Sequence, residues 1–279
     1  MKFAHGEART TLTHIGLEAK YSRDVARAVP SSGRFVELGT FEGAGLSARR
    51  ARAYVPRSRS RGQADPPRPV LVLFDGQNVF EDEGSFAGGW HAHRAVDRLG
   101  ATFLAPTIVA VDHGGAERIE ELGAPSSPKL AALVELLVDR VLPAAREKVP
   151  LLEGPAACFI GGSSMGGLAA LYTHFRRPEV FGGALSMSPS FWFEQRGIFD
   201  FVGKQPNPWR SRVYLDAGAR EGRGRLVELV SEMARHLEGR GWSTGGDLRV
   251  FFRADPKGTH NEAHWRRRLP KALRFLFAP

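Results

Sequence analysis

Between residues 70 and 277, short apolar runs that fit strands alternate with longer segments whose apolar residues recur at helical spacing. Strands that alternate with helices form mainly parallel sheets, because each helix returns the chain to the same edge and packs on the sheet. This alternation predicts an α/β fold with helices on both faces of the sheet. The predicted strands are 35–38, 50–55, 70–74, 108–111, 158–160, 183–187, 212–216 and 248–252. The predicted helices are 90–99, 130–146, 165–175, 226–237 and 265–277.

The first two predicted strands differ from the others, because glycine turns at Gly43 and Gly45 separate them instead of a helix. The second of them alternates its side-chain type with period two, so we predict an antiparallel hairpin ahead of the parallel part. Residues 56–69 contain four prolines and predict an exposed loop, since a strand follows at once. Residues 1–33 are poorly assigned. The unbroken alternation predicts a single domain over 1–279.

The composition narrows the class of protein. The chain has 39 basic and 30 acidic residues, a net charge of +9, but the basic residues are scattered, so we expect no nucleic-acid partner. One cysteine rules out an intrachain disulfide and a zinc site with two cysteine ligands. No apolar run approaches the roughly 18 residues of a membrane span, and the start lacks a signal-peptide pattern. A cytoplasmic, soluble protein without membrane contact is expected.

A glycine-rich segment between a predicted strand and a predicted helix carries the strongest local signal. It contains the pattern Gly-x-Ser-x-Gly as Gly162, Ser164 and Gly166. A nucleophile at such a tight turn sits in a strained backbone conformation, and side chains two residues away on either side would collide. The pattern predicts Ser164 as a nucleophile, with the neighbouring Ser163 at the wrong spacing. The alternative is a glycine-rich turn without chemistry or one that binds phosphate, although no Gly-Lys-Ser/Thr motif is present.

A serine nucleophile needs a base, and histidine titrates near neutral pH. His260 lies in a glycine-bearing loop after the last predicted strand, where the base of such a site belongs. His174 and His236 fall within predicted helices and are expected to be solvated surface residues, while His264 is expected to begin the final helix. A zinc site is not expected, because Glu262 does not stand where His-Glu-x-x-His requires it.

The acid that orients this histidine is expected in the loop after strand 212–216. Glu221 lies in that loop and is favoured. Asp216, at the strand end, is the alternative, and its other role would be to bind backbone groups.

Two backbone N–H groups are predicted to hold an oxyanion. Met165 follows the nucleophile at a helix N-terminus, where the helix dipole favours negative charge. Gln77 lies in the loop after strand 70–74, with Gly76 as the next candidate. The alternative for that loop is an ordinary aspartate-glycine turn.

Residues on two later loops are candidates for substrate contacts. Phe191, Trp192 and Phe193 are adjacent aromatic residues that either line a cleft or pack beneath a lid. Arg220 and Arg223 flank the candidate acid and would attract an anionic group. Alternatively, both arginines face solvent.

At these residues the sequence resembles the putative esterase family of α/β hydrolases, which includes enterochelin esterases, S-formylglutathione hydrolases (esterase D) and feruloyl esterases. The resemblance is strongest to the bacterial enterochelin-esterase-like branch. It implies an α/β-hydrolase fold in which Ser164, Glu221 and His260 match the positions of a catalytic triad. The matching segments are 74–78, 118–121, 162–167, 186–192, 216–221 and 258–260, with Trp265.

The predicted function is that of a serine carboxylic-ester hydrolase, which acts through an acyl-enzyme on small acyl or aryl esters and needs no cofactor or metal. We expect a negative charge on the ester to strengthen the preference, given the net charge of +9. An acyltransferase, a siderophore (enterochelin-type) ester hydrolase and a non-catalytic binding protein are the alternatives. The partner is a small-molecule ester, and a homo-oligomer is left open.

Overall fold

A computed structural model describes residues 33–43, 45–57, 65–85, 87–99, 103–123 and 125–278. Nearly all of the poorly assigned segment 1–33, and half of the proline-containing loop 56–69, lie outside these ranges. The expectation of a single domain over 1–279 stays a prediction.

Eight strands form one mixed sheet in the order β1-β2-β4-β3-β5-β6-β7-β8. The hairpin β1–β2 is antiparallel, β2 pairs antiparallel with β4, and all later neighbours are parallel. All eight strands overlap predicted strands, although β1 and β2 are longer than predicted, and the predicted N-terminal hairpin is confirmed. Their bounds are β1 Arg34–Gly43, β2 Leu46–Val55, β3 Val70–Phe74, β4 Thr107–Val111, β5 Cys158–Ser163, β6 Gly183–Met187, β7 Ser211–Gly218 and β8 Leu248–Asp255.

Eight α-helices are found in the described part of the chain, and two of them, α2 and α6, were not predicted. A π-helical turn at Leu137–Val141 separates α3 from α4, where the sequence predicted one continuous helix. Pro143 explains this interruption, because it has no N–H to bond the carbonyl one turn earlier. The bounds are α1 Ala92–Leu99, α2 Arg118–Leu122, α3 Pro128–Leu136, α4 Leu142–Lys148, α5 Met165–Arg176, α6 Phe193–Lys204, α7 Arg225–Glu238 and α8 Glu262–Phe277.

Apolar side chains of the central strands divide between two cores, one on each face of the sheet. In β3, Val70, Val72 and Phe74 join the core formed with helices α3 to α7, while Leu71 and Leu73 join the core formed with α1 and α8. A strand buried on both faces reads as a continuous apolar run because its alternating side chains enter both cores. The predicted α/β-hydrolase fold with helices on both faces is therefore confirmed.

Strand β4, which follows β3 in the chain, lies on one side of β3 in the sheet, and β5 lies on the other side. The direction in which strands are added therefore reverses at β3. This reversal opens a crevice at the carboxyl ends of β3 and β5, the usual place for a ligand in such sheets. The loops after β3, β5, β7 and β8 all leave this same edge, and they carry the predicted site residues.

Candidate active site

Ser164 occupies the sharp turn between β5 and α5, with φ 56° and ψ −122°. This strained geometry is the one the glycine pattern predicted. A Cβ on Gly162 would lie 2.6 Å from the backbone of Gly166, so only glycine fits there. A Cβ on Gly166 would lie 3.1 Å from the Asp75 carboxylate. The turn lifts the Ser164 hydroxyl to the edge of the crevice, whereas Ser163 is buried within β5.

His260 joins the serine to an acid. Its Nε2 lies 2.9 Å from the Ser164 Oγ, and its Nδ1 lies 2.7 Å from Oε2 of Glu221. A carboxylate can only accept, so Nδ1 carries the proton and Nε2 is free to accept one from the serine hydroxyl. The structure thus brings Ser164, His260 and Glu221 together in one hydrogen-bonded chain.

Glu221 accepts three hydrogen bonds and is almost completely buried. Besides His260, its carboxylate accepts hydrogen bonds from the Gly218 N–H at 2.8 Å and the Ser188 hydroxyl at 2.7 Å. A guanidinium N–H of Arg268 lies 3.6 Å away. Burial alone would raise the pKa of Glu221, but the hydrogen bonds from His260 and Ser188 outweigh burial, and the pKa falls below its usual value. Glu221 therefore stays ionised beside the imidazole.

Asp216, the alternative acid, lies at the end of β7 and has no hydrogen bond to His260. Its carboxylate faces the Arg268 guanidinium at 3.3 Å and the backbone N–H of Ser188. Burial raises the pKa of Asp216 to about 7, in spite of the positive charge of Arg268. The geometry places Glu221, and not Asp216, next to the histidine.

Ser188 connects the elements behind the histidine. Its hydroxyl donates to Glu221 and accepts hydrogen bonds from the Trp265 indole N–H at 3.1 Å and from Arg268 at 2.7 Å. Trp265 also packs edge-on against the His260 ring, with centroids 5.1 Å apart. We call Ser188, Trp265, Arg268 and Asp216 the support of the Glu221–His260 pair.

The sequence analysis did not predict that these four residues hold the Glu221–His260 pair, although the position of Arg268 in the sequence indicates that it is buried. Arg268 stands in a run of three arginines that suggests a solvated surface, yet it is 1% exposed. It follows Trp265 by three residues and precedes Ala272 by four, so it falls on the apolar stripe of α8. A charge on such a stripe indicates a buried ion pair.

One predicted oxyanion donor directly follows Ser164 in the chain, and the other lines the same cleft. Met165 is the first residue of α5, and Gln77 belongs to the 3₁₀ turn Gly76–Asn78 that follows β3. The first N–H groups of a helix have no partner within the helix, which leaves them free for a ligand. Their role as oxyanion donors stays a prediction.

A cleft of about 490 Å³ opens above Ser164 and His260. Asp75, Gln77 and Arg118 line it, together with Glu262 and Trp265. Arg118 binds the Asp75 carboxylate with two parallel hydrogen bonds of 2.6 and 2.8 Å. In the sequence analysis Arg118 appeared only within a segment that matches the family, and its place on the cleft wall was not predicted.

Two of the predicted substrate contacts do not fit this cleft. Phe191 is fully buried in the core, so the prediction that it touches substrate is wrong, and the alternative of packing holds for it. Arg220 is exposed and is not among the cleft-lining residues, as the solvent-facing alternative expected. Trp192 is 60% exposed and also lies outside the cleft lining, so its contact with substrate stays a prediction. A residue the sequence missed, Ser190, places its hydroxyl 3.3 Å from that of Ser164.

The remaining histidines separate into different environments. His264 lies in the first turn of α8, as predicted. His174 is fully buried, so the prediction of a solvated surface residue is wrong for it. The reason is that α5 is buried from Met165 to Phe175, a stretch that contains no aspartate, glutamate, lysine or arginine. His236 is partly buried, and burial lowers its pKa.

No group of three or more histidine, cysteine or carboxylate side chains in the described ranges is arranged to hold a metal ion. None of the helices described for this chain has the length and hydrophobicity of a membrane span.

Known proteins resemble this chain in sequence and fold. The iron(III) enterobactin esterase of Dickeya dadantii is 33% identical over 179 residues, which cover 57% of this chain and 39% of that protein. The enterobactin esterase of Shigella flexneri, solved in the presence of enterobactin, has a TM-score of 0.68 at 20% identity, over 88% of this chain and 58% of that chain. The BES protein of Bacillus cereus has a TM-score of 0.68 at 16% identity, over 99% and 100% of the two chains. The chain thus spans well under two thirds of the length of the enterobactin esterases.

The match to a family model identifies the protein family of this chain. The model described as "Putative esterase" matches residues 47–276, which include every residue of the hydrogen-bonded chain Ser164–His260–Glu221. The family expected from the sequence, with its likeness to enterobactin (enterochelin) esterases, is confirmed. This chain is a member of the putative esterase family.

Proposed function

We propose that the chain is a serine carboxylic-ester hydrolase that acts through an acyl-enzyme on small acyl or aryl esters. One observation carries the proposal: the hydroxyl of a strained serine, an imidazole and a buried ionised carboxylate are joined by hydrogen bonds at the mouth of a cleft. This is the arrangement of a serine hydrolase triad. Membership of an esterase family supports it.

In the first half of the reaction, the Ser164 Oγ attacks the carbonyl carbon of the ester while His260 Nε2 takes the hydroxyl proton. The carbonyl oxygen becomes an oxyanion, which we expect the N–H groups of Met165 and Gln77 to hold. When the intermediate collapses, the carbon–oxygen bond to the alcohol breaks, and the alcohol leaves with the proton from His260. The acyl group remains on Ser164.

In the second half, a water molecule gives a proton to His260 and attacks the acyl carbon. Collapse returns the proton from His260 to Ser164 and releases the carboxylic acid. In both halves the imidazole becomes positively charged, and the ionised, buried Glu221 stabilises that charge and fixes the ring. No step needs a cofactor or a metal.

A siderophore ester hydrolase of the enterochelin type is the second candidate, because the relatives named above are enterobactin esterases. An acyltransferase would use the same acyl-enzyme and pass it to an alcohol instead of water. The cytoplasmic location expected from the sequence stays a prediction.

Labelling with a fluorophosphonate probe tests the proposal. The wild-type protein should be labelled and should hydrolyse a small aryl ester, whereas Ser164→Ala should lose labelling and about 10⁴-fold or more of kcat/KM. Ser163→Ala, which trims a buried serine one residue away, is the control and should keep the label. A wild-type protein that neither labels nor hydrolyses any ester, including a catechol trilactone, would support the non-catalytic alternative. Added alcohol acceptors, with analysis of the products, separate hydrolase from acyltransferase.

A further inference from the structure

Three charged side chains line the cleft: Asp75, Arg118 and Glu262. Asp75 and Arg118 neutralise each other through their paired hydrogen bonds. With the histidines counted as neutral, Glu262 leaves the cleft with one surplus negative charge. This is opposite in sign to the net charge of +9 of the whole chain.

Glu262 is 6% exposed, and its carboxylate has neither a hydrogen bond nor an ion pair with any described residue. Arg118 is the one cleft-lining guanidinium whose charge acts on it, and the fork to Asp75 already engages that guanidinium. No described residue donates to the Glu262 carboxylate, and its oxygens are not among the side-chain atoms cut off from solvent. The carboxylate is therefore available to a group that enters the cleft.

Helix capping does not account for Glu262. The N-terminal dipole of α8 favours a negative charge at its first residue. However, the cap is already made by Asn261, whose side-chain oxygen accepts the His264 N–H at 3.1 Å. An acidic residue that served only the dipole would do so equally well from the solvent side of the helix. Glu262 instead borders the cleft that Ser164 and His260 share.

We propose that Glu262 selects esters that carry an ammonium group, which binds this carboxylate when the ester lies against Ser164. The inference rests on the proposed function and names its substrate class. A protonated amine brings a hydrogen-bond donor and a positive charge that can replace the water at this carboxylate. At contact distance in a partly desolvated cleft, this local charge outweighs the long-range field of scattered arginines, which salt screens. This proposal is the opposite of the sequence-based expectation of an anionic ester.

Two matched pairs of esters test the selection, since the ammonium can stand on either side of the ester bond. On the alcohol side, 2-(dimethylamino)ethyl benzoate is compared with its neutral isostere 3-methylbutyl benzoate. On the acyl side, phenyl 4-(dimethylamino)butanoate is compared with phenyl 5-methylhexanoate. At pH 7 the wild type should favour the ammonium ester of at least one pair by about tenfold in kcat/KM, a typical effect of a hydrogen bond to a charged group.

Glu262→Gln should abolish that preference, because it removes the charge that binds the ammonium group. Glu238→Gln is the matched control, because Glu238 is exposed at the end of α7, so the substitution makes the same change of net charge outside the cleft. The preference should survive in that variant. A wild type that favours neither ammonium ester, or a preference that persists in Glu262→Gln, overturns the inference. A 2-hydroxyethyl ester favoured equally would also overturn it, since a neutral donor would then suffice.

Failure of the proposed function gives a different result. If the wild type hydrolyses neither member of either pair, hydrolysis has failed, and binding still tests the selection. Calorimetry with the four esters and Ser164→Ala, and with the same protein carrying Glu262→Gln, measures the preference without turnover. Tighter binding of an ammonium ester that depends on Glu262 supports the inference, and equal binding of both members of each pair contradicts it.

Discussion

Two serine–histidine pairs in this chain have nearly the same geometry and very different surroundings. In the candidate active site, His260 Nδ1 donates to the Glu221 carboxylate and Nε2 lies 2.9 Å from Ser164. At the opposite end of the sheet, His174 Nδ1 donates to the Phe181 carbonyl at 2.8 Å and Nε2 lies 2.8 Å from the Ser211 hydroxyl. A serine–histidine hydrogen bond by itself therefore does not make a nucleophile.

The difference lies in charge and access. The carbonyl that orients His174 is neutral, and burial lowers the pKa of that histidine to about 4, so its ring cannot readily take a proton. The carboxylate that orients His260 is ionised, and the His260 side chain is 43% exposed towards the cleft. Of the two histidines, only His260 can therefore accept the proton of its serine, because Glu221 stabilises the charge that results.

The same substitution at both histidines breaks the comparison most strongly. His260→Gln removes the base, so kcat/KM should fall by about 10⁴-fold while the free energy of unfolding changes little. His174→Gln should keep kcat/KM within a few-fold at pH 8 but lower the stability by roughly 1–3 kcal/mol, because buried partners lose their hydrogen bonds. Ester turnover and urea unfolding measure the two effects. Loss of activity in a folded His174→Gln protein would contradict the distinction.

Glu221→Gln sharpens the comparison, because it gives His260 a neutral acceptor like that of His174. We expect kcat/KM to fall by about 10²–10³-fold, since the amide cannot stabilise the charged imidazole. Asp216→Asn is the control: Asp216 makes no hydrogen bond to His260, and burial raises the pKa of its carboxyl, so the loss should stay below about tenfold. An inactive but folded Asp216→Asn protein, with Glu221→Gln close to the wild type, would reassign the acid.

The sequence was sufficient for features that depend on local pattern. The apolar run 70–74 was correctly predicted as a strand, because all residues of a strand that is buried on both faces have to be apolar. The turn at Ser164 was found because its strain demands glycine at Gly162, whose Cβ would strike the Gly166 backbone. Glu221 was preferred to Asp216 from its loop position alone, and the structure puts it in contact with His260. The catalytic roles of these residues stay predictions.

Features that arise from tertiary packing were missed or mistaken. Phe191 was expected at the cleft, but its side chain is buried in the core, and the neighbouring Trp192 is the exposed aromatic residue. The start of α6 was not recognised, since Glu194, Gln195 and Arg196 all have positive φ values that no side-chain pattern indicates. In the sequence analysis Glu262 was considered only as a zinc ligand, because its place on the cleft wall depends on how α8 packs against β6, β7 and α1.

The pH dependence of stability provides the smallest and most specific test of the buried pair. His174 has a pKa of about 4 in the folded protein and an ordinary value near 6.5 when unfolded, so folding favours its neutral form. Its contribution to stability is therefore complete above pH 6.5 and declines as the pH falls towards 4. Between pH 8 and pH 5 the decline should be about 2 kcal/mol, since roughly 1.5 pH units at about 1.4 kcal/mol each lie below 6.5.

The His174→Gln protein lacks this titration, whereas His93, whose pKa burial also lowers to about 4, affects both proteins equally. Urea unfolding of both proteins at pH 8 and pH 5 should thus show their stability difference shrinking by about 2 kcal/mol at the lower pH. A difference that stays constant would mean that His174 is protonated within the fold, and the contrast with His260 would then rest on access alone.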